Sequence, residues 1–256
     1  MVVLVASSAL VVLMLLGLVL MLVGTLRSEN RGEQGRGWDE KLHPVQADGT
    51  RGAAYRDAIA ARPMLASTAD DLAPAPPALD RAGVLRVPPS SREGVAGVPS
   101  GFPQTAAGAV AQLAAIDSAV LTPMSIDFAR TVFDSWSVTG ARFDRWPLAR
   151  SISSFHEAAG TVDGDGTIAM SAVPVGAVVK GTDGPGWVLA CVQMDIRVRV
   201  VREARFGYGD CERMAWHGDR WLIDSGVPPA PAPSTWPDSE RSRKAGWLTW
   251  VEQGEP

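Results

Sequence analysis

Trp187-Val-Leu-Ala-Cys-Val-Gln-Met-Asp-Ile-Arg-Val-Arg-Val-Val201 is the stretch whose reading decides the fold. Val192, Met194, Ile196, Val198 and Val200 fall on one side of an alternation, with Cys191, Gln193, Asp195, Arg197 and Arg199 on the other. A period of two residues is the mark of a strand with one buried face. The next run repeats it, with Phe206, Tyr208, Met214 and Trp216 on one side and Arg205, Cys211 and Arg213 on the other. His217-Gly218-Asp219 signals a turn, after which Trp221 and Ile223 open another strand. This is an antiparallel meander, and it carries no catalytic signature of its own.

Upstream, three helices are expected. Thr105 is a suitable N-cap for a helix lined by Val110, Leu113, Ile116 and Val120, which Pro123 ends. Ser125 caps a second, with Asp127 in its first turn and Phe128, Val132 and Trp136 on one stripe. A third starts at Pro147, is lined by Leu148, Ile152, Phe155 and Ala159, and stops at Gly160. The strand over Ile168–Val179 contains Pro174, which suits an edge or a bulge. Segregated helices and antiparallel strands mean α+β, with three helices packed on one face of a bent sheet of about four strands.

The remaining chain divides by composition. Val2–Gly24 has no charged residue and would span roughly 34 Å as a helix, enough for a bilayer core. It is longer than a signal-peptide core, so an uncleaved transmembrane anchor over 1–26 is expected. Residues 27–100 read as a Pro-, Gly- and Ala-rich linker. Within it, Tyr55, Ile59 and Met64 mark one short helix between Arg51 and Arg62, and Val84, Leu85 and Val87 mark a short strand or docking segment. Residues 101–225 read as the α+β domain, and 226–256 as a Pro-rich tail whose Trp-bearing end either docks back on the domain or meets a partner. Arg27, Arg31, Arg36 and Lys41 follow the apolar run, and the positive-inside tendency would keep the bulk of the chain in the cytoplasm. The cysteines argue for the other side, and the adopted reading is a single-pass protein of the cytoplasmic membrane with its bulk outside.

Cys191 and Cys211 are the only cysteines, both on the polar face of neighbouring strands. A connection running from Arg199 to Glu203 would set them opposite one another, and a disulfide is expected, although that segment lacks Gly, Asn or Pro. Two cysteines and three scattered histidines match no metal-ligand spacing, so no metal is expected. Asp163-Gly-Asp165-Gly-Thr167 begins like a calcium loop, but Pro174 stands where the last acidic ligand belongs, so it reads as a turn. His156-Glu157 offers an acid–base pair between helices and sheet, weighed against a histidine that merely favours its helix C-terminus. No nucleophile elbow, phosphate-binding glycine loop or HExxH is present, and neither catalytic residues nor a cofactor is expected. A net charge of −4 gives no reason to expect nucleic acid as partner.

Gly97-Val-Pro-Ser-Gly-Phe-Pro-Gln-Thr-Ala-Ala-Gly-Ala109, Cys211-Glu-Arg-Met214, Arg220-Trp-Leu-Ile223 and Trp236-Pro237 together resemble actinobacterial membrane-anchored proteins associated with conjugative and integrative elements. Three helices before a long bent meander are similar to the cone-shaped nuclear transport factor two-like fold. On a membrane span, that fold is similar to the assembly-factor subunit of type IV secretion and conjugation systems. The resemblance implies a membrane-tethered, non-enzymatic scaffold whose partners are other membrane or cell-envelope proteins, or further copies of itself. The alternative is an extracytoplasmic domain holding a small ligand or lipid in the cone. Arg197 and Arg199 on the outer sheet face, with Trp236, Trp247 and Trp250 in the tail, are the candidate interface.

Overall fold

A computed structural model describes residues 45–160, 168–199 and 203–254. Asp48–Pro256 form one compact unit. In chain order the helices are α1 (Ala53–Ala61), α2 (Ala69–Leu72), α3 (Ala106–Leu121), α4 (Ile126–Trp136), α5 (Pro147–Ala159) and α6 (Glu240–Lys244). The strands are β1 (Val84–Val87), β2 (Arg92–Glu93), β3 (Pro99–Ser100), β4 (Ala169–Thr182), β5 (Trp187–Arg199), β6 (Glu203–His217), β7 (Arg220–Ile223) and β8 (Leu248–Glu252).

The main sheet has the order β1-β8-β4-β5-β6-β7, with β2 and β3 paired separately. It therefore has six strands, not about four, and it is mixed, because β1 runs parallel to β8. The extra strands come from segments that composition assigns to linker and tail. They are short, and each finds its partner far away in the sequence. The fold class is α+β, but the expected four-stranded antiparallel sheet with an N-terminal membrane helix does not describe it. Among the described residues no helix is long and apolar enough to cross a membrane, and the run Val2–Gly24 lies outside them.

The helix ends follow the local chemistry. The Thr105 hydroxyl accepts from Gly108 N–H at 3.1 Å and the Ser125 hydroxyl from Phe128 N–H at 3.3 Å. Pro147 occupies the first turn of α5, and Gly160 closes it at φ 63°, a left-handed conformation that glycine adopts without strain. In β4 the register shifts between Pro174 and Gly176, the bulge that a proline within a strand requires.

The alternation of β5 and β6 sorts the core into two layers. Val188, Ala190, Val192, Met194 and Ile196 pack with Met214 against α3, α4 and α5. The opposite face is not open to solvent. Trp187, Leu189 and Ala215 meet Ile59 and Ala60 of α1. Cys191 and Cys211 meet Met64, Ala232 and Trp247. Helices thus cover one face of the sheet, and the residue 48–80 segment and the Pro-rich tail cover the other.

Gly207 and Gly209 show why the tail can lie so close. A Cβ on Gly207 would stand 1.8 Å from the Thr235 carbonyl oxygen, and one on Gly209 would stand 2.6 Å from that of Pro233. Gln193 Nε2 donates to the Thr235 carbonyl at 2.8 Å and to its hydroxyl at 2.9 Å, and Gly209 N–H donates to Ser234 Oγ at 3.1 Å. A glycine inside a strand, where it weakens the strand itself, often marks such an approach of another backbone.

Candidate functional site

Three carboxyls lie between α3 and β6. Asp117 stands on the apolar stripe of α3, and Asp210 and Glu212 share the helix-facing side of β6 with Tyr208 and Met214. They are 0 %, 3 % and 4 % exposed. Both oxygens of Asp117, Oδ2 of Asp210 and Oε1 of Glu212 are buried with no hydrogen-bond partner. Burial pushes the Asp117 carboxyl well above the usual carboxylate range, and Asp210 and Glu212 push it further. Burial raises Asp210 to about 7, against the opposing pull of the Cys211 backbone N–H. Glu212 is raised well above its ordinary value by burial and by Asp210. Like charges in a poorly solvated space cannot all ionise, so this cluster holds protons at neutral pH. Tyr208, whose hydroxyl donates to Ser151 Oγ at 3.2 Å, is also raised, by burial first and then by Asp210. Among the described residues no three His, Cys, Asp or Glu side chains are placed to hold a metal ion.

One concavity lies beside the cluster and a second on the far side of α3. Where β7 ends, a cleft of about 310 Å³ is lined by Glu212, Trp146, Arg142, Arg145, Arg213 and Asp224. A larger groove, about 680 Å³, runs along the outer side of α3. Ala111, Ala114, Ala115, Ser118 and Ala119 form its floor, and Phe102, Phe128, Pro88, Pro89 and Trp250 form its walls. Glu252 is its one charged lining residue.

The residues singled out in the sequence do not converge on one surface. Cys191 and Cys211 form a disulfide across directly paired positions of β5 and β6. Arg197 and Arg199 are exposed at the far end of the hairpin, where Arg197 faces Arg205 and Arg199 faces Glu203. Arg205 itself pairs with Asp195 and lies over the Trp236 ring, 4.8 Å from its centroid. Trp247 is 2 % exposed, and its Nε1 donates to the Pro233 carbonyl at 3.2 Å, so it belongs to the interior. Trp250 is half-buried in the groove wall. His156 turns inward, its Nε2 2.6 Å from the Met124 carbonyl oxygen, while Glu157 is exposed, so the two do not act together on one pocket.

Sequence reading missed the carboxyl cluster although its signal is present. Asp117 falls four residues after Leu113 and three before Val120, inside an apolar stripe, and Asp210 and Glu212 interrupt the even-numbered apolar face of β6. No family model, no curated protein and no solved structure matches this chain.

Proposed function

We propose that this chain is a non-catalytic interaction module that works outside the cytoplasm, where it grips an apolar segment of a cell-envelope protein. The observation that carries the reading is the groove on α3. Its floor is built of small side chains, which let another backbone come close, and its walls are aromatic and proline residues, which supply apolar contact. The lone carboxylate of Glu252 favours an occupant with a Lys or Arg beside its apolar run, since opposite charges at a rim fix register and orientation. The disulfide supports the compartment, because such bonds persist where the environment is oxidising. We further propose a place in a transfer or secretion apparatus.

The test is a photo-crosslinking residue at Ala115 in cells that make the full chain, with the product identified by mass spectrometry. The expected product joins Ala115 to an apolar stretch of an envelope protein flanked by a basic residue, and Ala119→Arg abolishes it. A product that is a lipid or small-molecule adduct would place the chain among ligand-binding domains instead. Crosslinking equal to that from exposed Val95 would remove the groove from consideration.

A further inference from the structure

The buried carboxyls are not explained by packing, because apolar side chains of similar size would fill the same space without an unpartnered oxygen. What faces them can be taken element by element. α3 brings Asp117, and β6 brings Tyr208, Asp210 and Glu212. α5 brings Ser151, bonded to Tyr208, and the exposed Arg150, whose charge favours ionised Glu212 from a distance. Arg213, on the opposite face of β6, also favours it, but its Nη1 is committed to Asp57. Arg142 and Arg145 line only the outer cleft, and Arg142 is paired with Asp144. β5, β7 and α4 contribute apolar groups to this layer, among them Val192, Met194, Ile223 and Val132. Three carboxyls therefore have two distant guanidinium groups, one of them occupied, and no hydrogen-bond donor for the oxygens named above.

We infer that Asp117, Asp210 and Glu212 form a proton-dependent clasp that holds α3 against β6 when protonated and releases it when the protons leave. Glu212 supplies the route, since it lines the cleft that opens at the end of β7. The direction is fixed by linkage. Carboxyls that titrate higher in the folded state than in the unfolded one give stability that is complete below about pH 4. It falls as pH rises through the folded values, near 7 for Asp210, with Asp117 and Glu212 likewise raised well above the ordinary carboxylate range. Each proton held in this way makes opening about tenfold easier per pH unit across that window. The clasp stands whether or not the groove on the other side of α3 has the occupant proposed above.

Hydrogen exchange of the α3 amides in the full chain reads this directly, after correction for the intrinsic pH dependence of exchange. The opening constant should rise about 100-fold or more between about pH 5 and pH 7. Asp117→Asn and Asp210→Asn, neutral at every pH and of the same shape, should flatten that rise, whereas Asp134→Asn on the exposed side of α4 should leave it unchanged. Should either buried variant fail to fold, the infrared band of a protonated carboxylic acid in the unaltered protein at neutral pH gives a second readout. An opening constant that stays level over this range, or absence of that band, would overturn the inference.

Discussion

Removing the Cys191–Cys211 bridge tests how the sheet and its tail layer are held together. The bridge closes a loop with a sequence separation of 20, and the chain-entropy relation gives about 3 kcal/mol for a loop of that size near room temperature. Two features of the structure modify the figure. The β5–β6 ladder pairs Trp187 with Ala215 and continues to Arg199 with Glu203, so hairpin structure persisting in the unfolded chain would reduce the loss. In the other direction, Met64 Sδ lies 3.7 Å from Cys211 Sγ, and Trp247 packs on the same pair, so losing both sulfurs leaves a gap between sheet and tail. Cys191→Ala with Cys211→Ala avoids burying a hydroxyl in that gap, and it should cost about 3 kcal/mol in equilibrium urea unfolding. The slope should rise as well, since an unbridged unfolded chain exposes more surface. A loss below about 1 kcal/mol with an unchanged slope would refute the reasoning. Labelling of denatured, unreduced wild-type protein should find no free thiol.

Gly207→Ala cannot be accommodated beside the Thr235 carbonyl, so the tail should lift and strand the amide of Gln193. We expect a loss of about 2–3 kcal/mol and rapid proteolytic cleavage between residues 228 and 240, while Gly186→Ala, with no atom nearer than 3.9 Å, stays within about 0.5 kcal/mol of wild type. Asp183, 2 % exposed, accepts from the backbone N–H groups of Arg51 and Gly52 and from Arg56 Nε. Asp183→Ala should cost about 3 kcal/mol and speed hydrogen exchange in α1 before any other element. Equal acceleration throughout the sheet would show that α1 is not anchored there.

Much of this architecture is legible in local chemistry. The alternation of Trp187–Arg199 gives the two faces of β5, and Thr105, Ser125, Pro147 and Gly160 mark helix ends where the structure has them. The same alternation puts both cysteines on one face, and a connection from Arg199 to Glu203, which is the pairing observed, sets them opposite one another. What escapes is everything that depends on a distant partner. Val84, Leu85 and Val87 read as a short strand or a docking segment, and a strand is what forms, but nothing local names Thr249–Glu252 as the partner beside it. The Pro-rich run after Val227 reads as an extended tail, and its tryptophans leave docking and partner binding both open until Trp247 is seen buried against Pro233. Gly207 and Gly209 were the clue that another backbone must lie against β6. The carboxyls were visible as interruptions, but only burial without donors turns three acidic residues into a proton store.

The parallel pairing of β1 with β8 has a consequence for how the protein is made. A chain is delivered from its N-terminus, so Val84–Val87 is available long before the strand that will flank it. Until residue 252 has emerged, β1 has no neighbour in the sheet, and the layer over Cys191 and Cys211 lacks Trp247. Domains assembled from such distant contacts fold late and slowly. The nascent chain therefore carries the β1 edge unpaired until β8 has been made. A product truncated before Leu248 would keep that edge open for good, exposed to pairing with other chains.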